Sequence, residues 1–522
     1  MLDLIIRDGT IIDGTGRAGF SADVGVKDGL ISEIRNLNEV KAEKIIEAGG
    51  RYVTPGFIDI TNHSDVTAAI FQAPLMENLM RQGITTIIGG NCGVSLAPLT
   101  DPDVIHGIRK WVQTSSINVN WLTVGEYLAQ IESLGIGINF GTLVGHGTIR
   151  RGVTHDAVRP LKLEELAKVK LMLQDAIRQG ALGFSTNLAS SHELHATTEE
   201  LIEMARVLAT EGGVYKTHLR DEGANLISAV NEALRIGAEA GAPVIISHLK
   251  AIGRQSWPLM KRAVKMIETD SKSGHKVMFD ISPYRTTGSQ LYMLLPAWAR
   301  EGGFSAMLPR LRDATLRPRI VADLKALSLH FGKFWVSEAE DGLSTGKTLE
   351  ALAEKMGTDP HETVLELLIA NRGRVSIIGK TLHPKNVEIG IKSAFSMVAS
   401  NGSAYDMAAI PLDFPHPRSF GSFPHFLHVY TRDKQILSWE DAVMKITSAP
   451  AEAMRIKNRG KILKNYAADM VVLNPDTICD EATYKNPFRV PEGIDAVVVN
   501  GGVALEKGQT AGIRKGKIIR NS

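Results

Sequence analysis

The sequence predicts an α/β fold in which a (β/α)₈ barrel carries a small β-sandwich built from both chain termini. Eight apolar runs typical of buried strands alternate with helix-like segments through the middle of the chain, which is the pattern of a parallel barrel. Both ends contain short strands of alternating character, separated by turns. These observations predict a barrel over residues 55–455 and a composite sandwich over residues 1–54 and 456–522.

Turn pairs mark the terminal strands. In the N-terminal segment, Asp8-Gly9 and Asp28-Gly29 flank apolar alternations such as Val24-Gly-Val-Lys. Near the other end, Asp469-Met-Val-Val-Leu and Ala496-Val-Val-Val have the same character. Two β-rich ends around an α/β middle therefore indicate one small sandwich to which both termini contribute.

The barrel strands are predicted from apolar runs bounded by turn residues. The eight candidates, in chain order, are Val53–Asp59, Ile84–Gly89, Gly137–Val144, Ala181–Thr186, Val214–His218, Pro243–His248, Lys276–Ser282 and Ala394–Ser400. The helices predicted between them include Leu161–Gly180, Thr198–Gly212 and Asn225–Gly241. The interval between the seventh and eighth strands is much longer than the others. We interpret it as a mostly helical insertion, at about 286–393, that lies over the barrel mouth.

Composition excludes several classes of function. The 522 residues include 59 Lys+Arg and 57 Asp+Glu, a net charge of +2, so no strong field favours nucleic acid or an anionic membrane. The chain has two cysteines, Cys92 and Cys479, which suits a reducing compartment. No secretory leader and no long apolar stretch is apparent, and a cytoplasmic protein is expected. Homo-oligomerisation is left open.

Four metal-binding side chains follow predicted barrel strands. His63, Cys92, His218 and His248 come at or just after the first, second, fifth and sixth strands. Since the carboxyl ends of barrel strands converge, these side chains can share one ion, and imidazole with thiolate favours zinc. Taken singly, a cysteine after an apolar strand is usually a buried small side chain, but their joint placement favours a shared site. Other histidines, such as His330 and His428, are interpreted as surface or packing residues.

Several motifs together resemble a known family, the N-acyl-D-amino-acid deacylases (D-aminoacylases) of the amidohydrolase superfamily. The resemblance covers essentially the whole chain in order. It rests on the segments Pro55-Gly-Phe-Ile-Asp, Gly90-Asn-Cys-Gly, Lys216-Thr-His-Leu-Arg-Asp-Glu, Ile246-Ser-His-Leu-Lys, His416-Pro-Arg-Ser-Phe-Gly, Thr447-Ser-Ala-Pro-Ala-Glu and Ala468-Asp-Met-Val-Val.

The resemblance implies a TIM-like metallo-dependent hydrolase barrel with a small β-sandwich. It implies hydrolysis of the amide of an N-acylated D-amino acid to a carboxylate and the free D-amino acid. It also implies that Cys92, His218 and His248 bind a tightly held zinc ion. Lys250 and Tyr284 match the residues that hold the substrate carboxylate, a role that suits an amine and a phenol.

Two positions depart from the family pattern. The family has His-x-His after the first strand, where this chain has Thr61-Asn62-His63, and an Asp after the eighth strand, where this chain has Asn401. Both changes fall on the second metal position, so one tightly bound ion is expected. In the family this Asp also shuttles the proton, and losing a general base typically costs about 10²–10⁴-fold in rate.

Several interpretations follow from these changes. In the first interpretation, the protein is a deacylase of reduced or altered activity, in which His63 either binds metal or serves as the base. Alternatively it is a zinc-bearing ligand-binding homologue, or it hydrolyses a different linear or cyclic amide, although Cys92 in place of a bridging Lys argues against a cyclic one. A further alternative is deamidation of Asn401-Gly402, which would regenerate an Asp.

A third motif contributes candidate substrate contacts. His146 and Arg150, in Gly145-His-Gly-Thr-Ile-Arg after the third strand, match a family motif and are expected near the site. Hydrogen bonds that stabilise the loop are an equally good explanation of these two residues.

Overall fold

The computed structural model describes residues 1–101, 104–107, 118–408 and 414–521, and it has the predicted α/β architecture. Eight parallel strands form the barrel: Phe57–Asp59, Ile84–Gly89, Asn139–Thr142, Gly183–Asn187, Val214–His218, Val244–Ile246, Val277–Ile281 and Ser396–Val398. A short strand, Val144–Gly145, continues the third of these and pairs with the fourth. All eight predicted barrel strands are therefore present, each within its predicted segment or overlapping it.

The barrel closes between its first and last strands. A parallel bridge joins Asn62 to Gly402. The His63 amide donates to the Gly402 carbonyl at 2.9 Å, and the Asn401 amide donates to the Thr61 carbonyl at 2.9 Å. This closure places residues separated by more than three hundred positions beside one another at the carboxyl end of the barrel.

Amphipathic helices cover the outside of the barrel. Helix Leu163–Arg178 shows why they form, since it buries Val169, Leu173 and Ile177 on one face at helical spacing. The longer helices that pack on the barrel are Val124–Leu134, His146–Thr154, Leu163–Arg178, Thr198–Glu211, Leu226–Ala240, Leu259–Lys272, Pro384–Lys392, Arg418–His425 and Trp439–Ile446. The shorter ones are Ala69–Gln72, Glu77–Met80, Val104–Gly107 and Ser448–Ala453, and a π-helix covers Phe426–Asp433. In the described part of the chain, no helix has the length and apolarity needed to span a membrane.

The terminal strands form one nine-stranded sheet. Its members are Leu2–Ile11, Phe20–Lys27, Leu30–Arg35, Ala42–Glu47, Tyr52–Pro55, Met470–Leu473, Ile494–Val499, Gly502–Glu506 and Gln509–Thr510. Tyr52–Pro55 joins the two halves, because it pairs with the N-terminal strand on one side and with Met470–Leu473 on the other. Apolar side chains from both halves share one buried cluster, so the predicted sandwich is a continuous sheet folded over its own core.

The segment before the last barrel strand has its own core. It contains the helices Ala297–Arg300, Gly303–Arg312, Arg317–Ala326, Leu349–Met356 and Pro360–Ala370. It also contains a three-stranded antiparallel sheet of Thr286–Gln290, Val375–Lys380 and Trp335–Ala339, which the sequence analysis did not predict. Its apolar residues form a cluster separate from that of the barrel. Helix Pro384–Lys392, within the predicted insertion, packs instead into the barrel core through Val387 and Ile391.

Candidate metal centre

Three of the predicted ligands meet at the carboxyl end of the barrel. One donor atom each from Cys92, His218 and His248 lie within 4.8 Å of one another. The Cys92 Sγ lies 3.4 Å from the His248 Nε2, and the two imidazole rings pack edge to face with centroids 4.4 Å apart. Two nitrogens and a sulfur at such separations suit a four-coordinate zinc ion with one open position.

The backbone at these positions adopts an uncommon conformation that aims the side chains. Cys92, His248 and Asn401 have φ angles of 52°, 37° and 53°, in the left-handed region that non-glycine residues seldom occupy. Gly90 precedes Cys92 with a φ of 68°, and a Cβ there would lie 2.0 Å from the Leu143 carbonyl oxygen. Such strain persists only where the surroundings impose it, and it clusters at functional sites.

A buried carboxylate supports both histidines. Glu222 Oε1 lies 3.2 Å from the His248 Nδ1, and Glu222 Oε2 lies 3.4 Å from the His218 Nε2. Lys250 also contacts Glu222 and lies 2.9 Å from the His248 Nδ1. A carboxylate on the far nitrogen of a ligating histidine fixes its tautomer and its orientation. Sequence reasoning quoted Glu222 within a motif but gave it no role.

The electrostatics of the cluster suit a cation. Burial raises the pKa of Cys92 to about 12 and, with help from the Lys250 charge, lowers the pKa of His248 to about 3. Without a cation the thiol is protonated and the imidazole is neutral, and a divalent ion would deprotonate the thiol on binding. The donor set therefore fits a zinc ion.

The remaining strand-end residues form a second group. The His63 Nε2 lies 2.7 Å from the Asn401 Oδ1, and burial lowers the pKa of His63 to about 4. The Thr61 hydroxyl donates to the Asp280 Oδ2 at 2.8 Å. Within the described residues, His63 does not belong to the three-residue donor cluster, so the structure does not bring the predicted fourth metal ligand together with the other three.

A buried lysine, not predicted from the sequence, lies beneath Thr61. The Lys216 ammonium donates to the Ile60 carbonyl at 2.6 Å, to the Asn91 Oδ1 at 2.8 Å and to the Thr61 hydroxyl. It also forms an ion pair of 3.3 Å with Asp280. This positive charge therefore lies next to Thr61, on the side of the barrel interior. Thr61 is the position at which the family pattern has a histidine. A lysine in the middle of a strand predicted to be buried was the available signal.

A cavity of about 460 Å³ opens over the centre. Its lining includes His63, Cys92, His218, His248 and Asn401, together with Lys250 and Tyr284. The Tyr284 hydroxyl is buried and has no hydrogen-bond partner among the described residues. The predicted substrate contacts Lys250 and Tyr284 therefore share one cavity with the predicted ligands.

The amidohydrolase family profile matches residues 44–504, most of the chain. The chain belongs to the amidohydrolase family. D-aminoacylase of Alcaligenes xylosoxydans xylosoxydans is 30% identical over 517 residues, which cover 99% of this chain and 97% of the relative. This amidohydrolase is therefore a hydrolase of carbon–nitrogen bonds other than peptide bonds, and the predicted resemblance to D-aminoacylases is confirmed.

Solved structures agree with this assignment. A crystal structure of D-aminoacylase matches this amidohydrolase with a TM-score of 0.84 at 30% identity and covers 100% of both chains. The N-acyl-D-glutamate deacylase of Bordetella bronchiseptica, solved with zinc and a phosphonate inhibitor, matches with a TM-score of 0.83 at 28% identity over 99% of both chains. The predicted barrel with a small β-domain is thereby confirmed.

A second cation of the amidohydrolase cavity was missed as a site residue. Arg418 lines the cavity, and no carboxylate lies within 4.0 Å of its guanidinium among the described residues. Its backbone amide donates to the His416 Nδ1 at 3.0 Å, which fixes the start of its helix. Burial lowers the pKa of Arg418 to about 10, so it keeps its charge at neutral pH. The motif His416-Pro-Arg was the feature of the sequence that could have identified Arg418 as a site residue.

His146 and Arg150 lie away from the amidohydrolase cavity. Both are fully buried, and neither lines it. His146 contacts Glu193 at 3.1 Å and Glu200 at 3.0 Å, and Arg150 also pairs with Glu200. The structure does not support the predicted substrate contact, because both side chains are buried outside the cavity and already pair with buried carboxylates.

Proposed function

We propose that this chain hydrolyses the amide of N-acyl-D-amino acids, with one zinc ion held by Cys92, His218 and His248. The observation that carries the proposal is the three-donor cluster in the wall of a cavity that the cations Lys250 and Arg418 also line. The names of its relatives, D-aminoacylase and N-acyl-D-glutamate deacylase, supply the substrate class.

The cations of the cavity would bind the substrate carboxylate. Lys250 and Arg418 offer an ammonium and a guanidinium, and the Tyr284 hydroxyl, which has no hydrogen-bond partner in the described part of the chain, offers a third donor. A carboxylate that accepts two or three charge-assisted bonds is held in one orientation. That anchoring would leave the acyl amide directed at the cluster. When bound, zinc would act as a Lewis acid toward the amide carbonyl and the attacking water.

His63 is the candidate proton carrier. The Asn401 Oδ1 can only accept, so the His63 Nε2 carries the hydrogen and the lone pair falls on Nδ1. Burial keeps this imidazole neutral at pH 7, and its lowered pKa, about 4, makes it a weak base. His63 would thus accept the proton of the attacking water and return it to the leaving nitrogen. This weakness is the reason we propose reduced turnover.

Lys216 supports a single ion at this centre. Its ammonium contacts the Thr61 hydroxyl and lies among the oxygens of Ile60, Asn91 and Asp280. A second divalent cation beside Thr61 would face this fixed charge at short range, where burial reduces screening. The Thr61, Asn401 and Lys216 side chains therefore act together against a two-metal centre.

The second candidate function is binding without turnover. It is favoured by the pairing of Asn401 with His63, because an amide has no acid–base chemistry at neutral pH. The cavity and its cations serve a binding protein equally well. Hydrolysis of a different amide is a related candidate, and a cyclic one is disfavoured by Cys92.

Amine release from N-acyl amino acids tests the proposal. Zinc-loaded protein is incubated with the N-acetyl derivatives of D-leucine, D-aspartate and D-glutamate, with the L-enantiomers as controls. We expect D-selective release that Cys92→Ser abolishes. No release from any D-substrate, together with thermal stabilisation by the same compounds, would establish the binding alternative.

A further inference from the structure

A second cluster of side chains that could hold a metal ion lies outside the lining of the cavity. Donor atoms of His428, Cys479 and Asp480 lie within 4.8 Å of one another. The His428 Nδ1 is 3.1 Å from the Asp480 Oδ1 and 3.4 Å from the Cys479 Sγ. Ligands of a tetrahedral zinc ion are separated by about 3.3–3.6 Å, given zinc–nitrogen and zinc–sulfur bonds of about 2.0 and 2.3 Å. The three donors are thus spaced as ligands of one ion.

Two neighbours hold the donors in ligand orientation. The His428 Nε2 lies 3.1 Å from the Asp433 Oδ2, and the His425 Nδ1 lies 2.9 Å from the Asp480 Oδ2. When the His428 Nδ1 binds a metal, its Nε2 carries the hydrogen, which Asp433 accepts. His425 likewise donates to the carboxylate oxygen that faces away from the donor cluster. Such supporting bonds accompany metal ligands in proteins.

The elements that carry the donors are tied together. His428 lies in the π-helix Phe426–Asp433, a rare conformation that is frequently found at functional sites. The Arg432 guanidinium of the same helix donates to the Ile478 carbonyl at 2.8 Å, directly before Cys479. Cys479 exchanges two backbone hydrogen bonds with Glu492, of 3.2 and 2.9 Å. The cluster is therefore built on a fixed backbone.

The donors are accessible and chemically suited to a cation. The side chains of His428 and Asp480 are 21% and 11% exposed, so an ion can enter from solvent. One thiolate, one imidazole and one carboxylate favour a borderline ion such as zinc over magnesium or calcium.

We propose that His428, Cys479 and Asp480 form a second zinc site, with Asp433 and His425 as supporting residues and solvent in the fourth position. The site also adjoins the cavity, because the His425 ring stacks on Tyr284 with centroids 4.4 Å apart. Occupancy would hold Asp480, and through it His425, against the ring of Tyr284. The site does not depend on the proposed deacylase activity.

The small number of cysteines makes the test specific. The chain has only Cys92 and Cys479, so in a Cys92→Ser variant any thiolate-to-cobalt absorption must come from Cys479. We expect Co²⁺ to produce that band in Cys92→Ser and not in Cys92→Ser/Cys479→Ser. Its absence from the folded Cys92→Ser variant would overturn the proposal.

Zinc content gives the second readout. After loading and gel filtration, we expect two zinc ions per wild-type chain and one in either Cys479→Ser or Cys92→Ser. His425→Ala should weaken the second site by roughly 10–100-fold while leaving the first intact. His275→Ala is the matched control, because it removes another histidine paired with an aspartate, at 2.9 Å from Asp270, where the chain offers no thiol. Unchanged zinc content in Cys479→Ser would mean that the cluster is held by hydrogen bonds alone.

Discussion

Asn401 combines an amide side chain with a left-handed backbone, and both bear on catalysis. Its φ of 53° is one that Asn and Asp adopt far more readily than other non-glycine residues, so Asn401→Asp changes the chemistry without adding strain. The new carboxylate would face the His63 Nε2, which lies 2.7 Å from the present amide oxygen. We expect kcat/KM for N-acetyl-D-amino acids to rise by roughly 10²-fold or more.

The control for this prediction is Asn401→Gly. Glycine accepts the same φ but offers neither an amide nor a carboxylate, so it should not raise the rate. A wild type that is fast and loses activity on Asn401→Asp would show that proton transfer has moved to another group. Mass analysis of the peptide spanning Asn401 should find the amide form. A species heavier by 1 Da would instead support deamidation.

We expect Lys216 to limit how many ions the centre can take. Restoring the family ligands by Thr61→His and Asn401→Asp should not add an ion while the Lys216 ammonium remains beside position 61. Adding Lys216→Met to those two changes should raise the zinc content by one relative to the double variant. Equal zinc content in the double and triple variants would show that the lysine does not exclude the second ion.

His416 makes the stability of the protein depend on pH. Its Nδ1 accepts from the Arg418 amide at 3.0 Å and its Nε2 donates to the Thr286 carbonyl at 3.0 Å, an arrangement that only the neutral ring allows. Burial, followed by the Arg418 charge, lowers the pKa of His416 well below its ordinary value. As pH falls below about 6.5, the unfolded chain takes up the proton first, so the free energy of unfolding decreases.

Urea unfolding at pH 7.5 and pH 5.5 measures this effect. The loss of stability between the two should be smaller for His416→Asn than for the wild type. The exposed His330→Asn is the control and should keep the wild-type difference. Identical differences in all three proteins would contradict the prediction.

At the scale of elements, the strand ends were predictable and the loops between them were not. Apolar runs that end in His218 and His248 are visible in the sequence, and parallel strands bring such ends together. His146 and Arg150 show the limit, because the motif indicated proximity but not burial. Their partners Glu193 and Glu200 lie beyond the next strand, and no local pattern relates those positions to one another.

The buried network between helices His146–Thr154 and Thr198–Glu211 is a structural element with a measurable contribution. Arg150→Met removes the guanidinium from Glu200 and leaves a buried carboxylate with less compensation. We expect the free energy of unfolding to fall by about 3–5 kcal/mol, while KM changes little. Arg374→Met, which breaks an exposed pair with Glu340, should cost at most about 1 kcal/mol. If Arg150→Met instead raised KM without loss of stability, the result would support the prediction that Arg150 contacts the substrate.

For the whole molecule, the alternation of strands and helices was sufficient to predict the barrel and the participation of both termini in one sheet. The three-stranded sheet Thr286–Gln290, Val375–Lys380 and Trp335–Ala339 was not predicted, because its first two strands pair across most of the insertion. Its strands are short, and their periodicity is obscured by the helices around them. Lys216 lies in a quoted motif but had no predicted role, and it acquired one only when barrel closure placed it beneath Thr61.

The barrel and its ion should be coupled thermodynamically. The proposed ligands Cys92, His218 and His248 lie at the ends of three different strands, so they converge only in the folded chain. A ligand that binds only the folded state stabilises it, by about 4.1 kcal/mol at a free concentration 1,000 times Kd. Zinc should therefore raise the midpoint of urea unfolding of the metal-free protein, and Cys479→Ser should retain most of that shift. In Cys92→Ser the shift should shrink to the part contributed by the second site. A full shift in Cys92→Ser would show that this residue is not a ligand.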